Sequence, residues 1–371
     1  MEIQAFFDDQ EAMAAFLELP GRLYASNPDW IPPLRQSIAA QLNPSANPFF
    51  RYGKAMSFLA HSDGRVQGRC TAFYDPRLLH ADEPIGMVGF FEVEDHDDVS
   101  AALLDRARDW LREQGAKVLW GPMNFGIFGS YRFKTKGFDR SPFMGEPLNP
   151  PYYPAHFQQY GFSLLEASAC WDLDEDHVRA IRDNMAAGYD ADAVASAGYS
   201  YRPFEMDRYD ADMKVFYDLT MQCFTAHTGF VRISYEEFAF WNQSMRLLME
   251  PSVVSIICAP GGGYAGAGYC YPDYAEVLRR LDGDADMAKL SSLRQQHPPP
   301  DRLIFHTGMS VPQHRLKGLL QGCYLTAIDN ALARGITRGV GAFAKLGNPV
   351  FERIYGVAER SREYAVYSMP L

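Results

Sequence analysis

Cysteine is scarce and scattered: six residues in 371, at Cys70, Cys170, Cys223, Cys258, Cys270 and Cys323, with no C-x-x-C pair. That spacing offers no ligand set for a structural metal and argues for buried, reduced thiols rather than a disulfide framework. Long hydrophobic runs are missing too. Stretches such as Val253 to Cys258 stop far short of the ~20 residues a membrane-spanning helix needs. The opening residues Met1-Glu2-Ile3-Gln4 carry no basic segment of the kind that starts a signal peptide. Basic charge is in deficit, with 35 Lys+Arg against 46 Asp+Glu and a formal charge of −11. This argues against nucleic acid as a partner and against standing electrostatic attraction to anionic lipid. These absences describe a soluble, cytoplasmic protein without a metal or a transmembrane segment, leaving room only for transient membrane contact.

What is there is core-forming material. With 47% hydrophobic and 14% aromatic residues, the chain can fill substantial cores, and at roughly 150 residues per domain its length suits two of them. In the first half a helix-like stretch, Gln10 to Leu19, precedes a hairpin whose arms, Ser57 to His61 and Val66 to Tyr74, flank Asp63-Gly64. A β-rich run from Ile85 to Val93 follows. Then comes an amphipathic helix with Val99, Leu103, Ala107, Trp110 and Leu111 on one stripe, Asp97-Asp98 able to cap its start and Gly115 its end. A buried strand, Lys117 to Trp120, closes the series.

The second half repeats this order. A β-rich start at Tyr199 to Phe204 leads to helical stretches from Ala211 to Cys223 and from Tyr235 to Met249. Next is a hairpin, Val253 to Cys258 and Ala265 to Tyr271, turning at Gly261-Gly262-Gly263. A polar insertion, Tyr274 to Pro300, reads as a surface excursion without chemistry. Beyond it lie a strand from Leu303 to Val311, a helix from about Arg315 to Arg334, and a strand near Ile336 to Phe343. The expected architecture is α/β, a mixed sheet with flanking helices, in two tandem copies at residues 1–175 and 176–371 joined between Asp172 and Ala197.

One segment carries a chemical signal. The strand ending at Val311 runs through Pro312-Gln313-His314-Arg315-Leu316-Lys317-Gly318-Leu319-Leu320 into a helix. Free N–H groups and the positive end of the helix dipole converge there, as pyrophosphate binding requires. Arg315 and Lys317 add charge, and Gly318 allows close backbone approach. Neither a Walker loop nor a dinucleotide fingerprint is present.

Val311-Pro312 and Arg315-Leu316-Lys317-Gly318-Leu319-Leu320 resemble the acyl-CoA loop of the GCN5-related N-acetyltransferase superfamily, except that Leu320 stands where a glycine or alanine is usual. Asn348, Phe351, Ile354 and Tyr355 resemble the segment that follows the next strand in that superfamily. The whole chain is similar to the tandem-domain YghO-type, bacterial ceramide synthase-like group. This likeness rests on blocks such as Asn27-Pro28-Asp29-Trp30-Ile31-Pro32-Pro33, Gly121-Pro122-Met123-Asn124, Asn149-Pro150-Pro151-Tyr152-Tyr153 and Thr228-Gly229-Phe230-Val231.

The resemblance implies two GNAT-like domains, the first without a phosphate loop, and transfer of an acyl group directly to an amine. Acetyl-CoA or a longer acyl-CoA is the implied donor, with an acyl carrier protein as its alternative. A small-molecule or lipid amine, a sphingoid-base-like amine among them, is the implied acceptor. A cofactor-sensing module and an aminoacyl-tRNA-dependent transferase are the competing readings. Residues 311 to 320 would hold the donor, and Tyr355, two helical turns beyond Asn348, would protonate the leaving thiolate. On the strands, His306 suits a base with a pKa near neutrality, and Glu92, flanked by Phe90, Phe91 and Val93, suits a partly desolvated acid–base group. Asn124, His227 and Phe230 are candidates for the acceptor cleft.

Overall fold

The computed structural model describes residues 1–62, 64–284, 286–315 and 317–371. In the first half the hairpin arms are β2 (Lys54–Ser62) and β3 (Arg65–His80), with β1 (Glu2–Phe6) paired outside β2. Asp63 lies outside the described residues. Gly64 has the positive φ of 75° that such a turn demands. Then follow β4 (Glu83–Val93), β5 (Val118–Gly121), a short β6 (Phe133–Lys136) and β7 (Ser163–Leu173). The second half supplies β8 (Ser200–Pro203), β9 (Val254–Cys258), β10 (Tyr264–Pro272), β11 (Arg302–Ser310), β12 (Arg338–Lys345) and β13 (Arg360–Pro370).

Among the described residues these strands form one sheet, ordered β1-β2-β3-β4-β5-β13-β7-β12-β11-β10-β9-β8, with β6 beside β13. The order is a palindrome of two like halves with their last strands exchanged. The first half's β7 lies beside β12, and the second half's β13 lies between β5 and β7. The pairs β4–β5 and β11–β12 are parallel, and each is bridged by a helix.

Both bridging helices are seated by the same device. Leu103 on the helix Asp97–Glu113 lies 2.8 Å from where a Cβ on Gly68 would stand, and Cys323 on the helix Leu319–Ala333 lies 2.7 Å from that of Gly268. A glycine on each third strand therefore lets the helix approach the sheet closely. The apolar stripe expected on the first helix is buried at Val99, Leu103, Ala107 and Leu111. His96 is its N-cap, without a side-chain cap bond; Asp97 and Asp98 lie inside the first turn, where they act through the helix dipole.

Two expectations need correction. The stretch Tyr235 to Met249 is broken into helices Tyr235–Trp241 and Met245–Leu248. The insertion after Tyr274 is no plain excursion. Its helices, Ala275–Leu281 and Met287–Gln296, close a small core around Tyr274, Val277, Leu281 and Leu290 against Leu34, and Arg35 N–H donates to Gly283 C=O at 3.1 Å. Arg77 also bridges the halves, binding Asp75 at 2.7 Å and Glu237 at 3.1 Å, while Phe125 and Trp241 meet with ring centroids 5.2 Å apart.

Because β13 pairs with both β5 and β7, a chain ending at residue 359 removes the middle of the sheet. Such a chain is expected to lose cooperative unfolding of both halves, read by urea denaturation followed by tryptophan fluorescence. A sharp two-state transition at the full-length midpoint would contradict this topology.

Candidate functional site

The parallel pair β11–β12 holds register from Arg302–Arg338 to Phe305–Gly341 and then splays. Two irregularities open it. On β11, Thr307 pairs with Tyr269 and Phe305 with Cys270, so His306 is the extra residue of a β-bulge. On β12, the register against β7 shifts between Gly341 and Ala344, where Phe343 takes φ 53° and its N–H donates to Cys170 Sγ at 3.2 Å. Beyond the splay point His306 and Gly308 are exposed.

The corresponding opening in the first half is filled. After Met87–Trp120 the β4–β5 pairing ends, but Asn124 Oδ1 accepts from Phe90 N–H at 2.7 Å and would lie 2.2 Å from a Cβ on Gly89. Phe125 seals the rest, with Phe49 at 4.9 Å and Phe73 at 4.2 Å. Asn124 thus holds the plug of the first half.

The open slot leads to the loop. β11 ends at Ser310, Pro312–His314 form a 3₁₀ turn, and the helix begins at Leu319, four residues later than Arg315. Gly318 is its N-cap in the left-handed conformation, φ 70°, with no side-chain cap. The exposed Arg315 and Lys317 flank it, Arg315 Nε donating to Ser310 C=O at 3.2 Å and Lys317 Nζ lying 5.6 Å from the Tyr199 ring. Leu316 lies outside the described residues. Leu319 is buried, its C=O accepting from Tyr201 at 2.9 Å. Leu320 packs on the adjoining cores and lies 3.2 Å from the Cβ position of Gly308.

Tyr355 and His306 occupy opposite faces of the slot. The Tyr355 ring, 4% exposed, fills the space beside Gly341, the last paired residue of β12, and stacks on Trp171 and Phe351. Burial holds its hydroxyl pKa well above that of a free tyrosine, so it stays protonated. Asn348 caps the helix Pro349–Tyr355, accepting from Val350 N–H at 3.1 Å. On the other face the His306 ring is surrounded by Tyr269, Tyr271 and Phe343, with centroids 5.6–6.3 Å away. These three rings rim the ring's exposed surface. Burial, with a contribution from Arg132, pushes its pKa down to about 4, not near neutrality as expected.

The sign of that shift is testable. Between pH 6.5 and 4 the unfolded chain binds a proton at His306 that the folded chain refuses. The contribution of His306 to stability is thus complete above about pH 6.5 and lost as the pH falls toward 4. Urea midpoints are expected to drop less between pH 7 and pH 5 for His306→Asn than for the unmodified protein. Equal drops would refute the shift.

The remaining candidates separate. Glu92 accepts from Tyr24 at 2.9 Å and Tyr153 at 2.8 Å and faces Arg69 at 4.0 Å, in a network of the first half. Burial raises its pKa, against the opposing pull of Arg69 and the two tyrosines. His227 and Phe230 lie on the loop beside the plug, Phe230 6.4 Å from Phe128. Next to them Glu166 accepts from Thr228 at 2.8 Å and Lys345 at 2.6 Å. Arg132 and Phe343, which the sequence does not single out, face each other at 4.6 Å beside His306. No periodicity marks either, because both stand at positive φ in irregular backbone.

Comparison with known proteins agrees with this geometry. The chain is 26% identical over 272 residues to a protein named bacterial ceramide synthase from Caulobacter vibrioides, covering 72% of this chain and 69% of that protein. It is also 26% identical over 284 residues to protein YghO of Escherichia coli, covering 75% and 70% respectively. A tandem GNAT protein from the clavulanic acid biosynthesis pathway, solved without AcCoA, superposes with a TM-score of 0.56 over 100% of this chain and 98% of its own, at 14% identity. No protein-family profile matches. The exchanged two-half sheet and the solved tandem structure agree on the fold: the chain has the tandem GCN5-related N-acetyltransferase fold, and in sequence it is similar to the bacterial ceramide synthase and to YghO.

Proposed function

We propose that the protein is an N-acyltransferase that moves an acyl group from acyl-CoA directly to an amine. The observation that carries this reading is the contrast between the two slots. The β11–β12 slot is open and leads to a glycine-capped helix start, whereas the β4–β5 slot is plugged by Asn124 and Phe125. The loop from Val311 to Leu320 would take the pyrophosphate and the slot the pantetheine arm. An acyl carrier protein is the alternative donor. The relatedness to a protein named bacterial ceramide synthase makes a long-chain amine one candidate acceptor. Residues 1–175 and 176–371 would act as one unit, since each half holds a strand of the other.

The chemistry follows from the two faces. An uncharged amine arriving on the His306 face attacks the thioester carbonyl; the C–N bond forms and the C–S bond breaks. The proton shed by nitrogen passes to the neutral imidazole, directly or through water, and the departing thiolate takes one from the Tyr355 hydroxyl. The amide and a free thiol result, and one proton transfer from His306 to Tyr355 through solvent restores both groups. Imidazole with a pKa near 4 is always unprotonated at neutral pH, though a weak base.

Titration with coenzyme A, acetyl-CoA and palmitoyl-CoA by calorimetry tests the donor, and thiol release tests the transfer. Tyr355→Phe is expected to slow thiol release by roughly a hundredfold or more, the usual range for loss of a general acid, with donor affinity unchanged. Unchanged turnover would remove Tyr355 from the mechanism, and failure of all three donors to bind would remove coenzyme A.

A further inference from the structure

We propose that Arg132 receives a negatively charged group of the acceptor, so that the amine acylated here also carries a single negative charge, in the first instance a carboxylate. This rests on the acyl-transfer reading above and narrows its acceptor.

Arg132 is 8% exposed, yet its guanidinium makes no hydrogen bond or ion pair with a described residue. Two aromatic rings alone hold it, Tyr131 with its centroid 4.0 Å away and Phe343 at 4.6 Å. The other deeply buried arginines are provided for. Arg69 donates to Phe16 C=O and faces Glu92, and Arg362 pairs with Asp172 and Glu146. Glu166, whose charge acts on Tyr131, is committed to Lys345 and Thr228. His306, on the other side, is neutral and supplies no countercharge. The carbon stem of Arg132 is buried while its guanidinium nitrogens keep contact with solvent, so an anion arriving from outside the chain can reach them and pair with a charge that the fold leaves uncompensated.

The placement selects the acceptor rather than the donor. The donor loop lies at the far end of β11, five residues beyond His306, roughly 16 Å at the ~3.3 Å rise of a strand. Arg132 stands on the His306 face, opposite Tyr355. Both residues of the sandwich are held in backbone that side chains rarely adopt, φ 79° for Arg132 and 53° for Phe343, strain of the kind that persists where geometry is functional. One guanidinium fork matches one carboxylate in both shape and charge. A phosphate monoester would bring more negative charge than one guanidinium balances.

The test uses the full-length protein and does not depend on turnover. N-acetylglycine and N-dodecanoylglycine stand in for the product, each compared with its methyl ester by calorimetry. The free acid of at least one is expected to bind roughly tenfold more tightly than its ester, a charge-assisted bond's worth of discrimination. Arg132→Gln is expected to erase the difference, and Arg132→Lys to keep part of it. No preference for acid over ester in the unmodified protein, including no binding of either, overturns the proposal. So does thiol release with sphinganine, an amine without an anionic group, at equal kcat/KM in the unmodified protein and Arg132→Gln. That result would leave the acyltransferase reading standing, whereas acid-selective binding without coenzyme A binding would count against the donor and for the anion site.

Discussion

Replacing Gly318 by glutamate is expected to abolish binding of coenzyme A and its thioesters, a loss of roughly a hundredfold or more in calorimetric affinity. Three effects act together. Gly318 sits at φ 70° and ψ 5°, a left-handed conformation that costs most side chains on the order of 1–2 kcal/mol. A Cβ there would lie 2.9 Å from Gln321 Oε1, displacing that side chain across the helix start. Most of the loss comes from charge, since a carboxylate tied to the helix terminus would occupy the amide groups and dipole that a pyrophosphate needs. Gly318→Asn separates the terms, because asparagine tolerates the left-handed region and brings no charge. It is expected to keep most of the affinity. Equal binding by the glutamate variant and the unmodified protein would mean that the donor is held elsewhere.

Glu146→Ala is expected to destabilise the protein by about 3–5 kcal/mol, measured as the shift in urea unfolding. Glu146 is 1% exposed at its side chain and lies 2.9 Å from Lys134 and 3.2 Å from Arg362, themselves 5% and 1% exposed. Tyr364 donates to the same carboxylate at 2.5 Å. Alanine would leave two buried cations with only Asp172 between them, and the tyrosine hydroxyl without its acceptor. Pairing Glu146→Leu with Lys134→Met is expected to recover part of the loss, because removing both charges is less costly than removing one. Lys134 belongs to β6 and Arg362 and Tyr364 to β13, so a single unfolding transition should shift as a whole. Two separated transitions would show that the halves are independent.

The elements legible in the sequence are those that make their own case locally. The hairpin around Gly64, the amphipathic helix from Asp97 and the glycine turn at Gly261–Gly263 each carry a periodicity or a turn residue within a dozen positions. Strands β7 and β13 do not. Ser163–Leu173 mixes exposed and buried residues without alternation, and its neighbours, β12 and β13, lie far along the chain. Strand exchange is a choice between two nearly equivalent partners, settled by packing rather than by local propensity.

The site divides in the same way. The strand-to-helix junction proposed for the donor was legible because a strand meeting a glycine-started helix is one short segment. The expectation of a near-neutral pKa for His306 failed because its ring stands among Tyr269, Tyr271 and Phe343, surroundings that depend on three strands converging. Arg132 was illegible because its importance lies in what it lacks, a partner, and a sequence lists residues without their vacancies.

The exchanged strand has a consequence for how the molecule is made. Strand β5 emerges during synthesis with one edge unsatisfied, and the segment that covers it, Arg360–Pro370, follows more than two hundred residues later. The first half therefore spends most of translation with an exposed edge open to wrong pairing, including with the same strand of a neighbouring nascent chain. Its own β7, made much earlier, is the nearest substitute and would close the half prematurely. Correct assembly then requires that early closure be reversible on the timescale of synthesis.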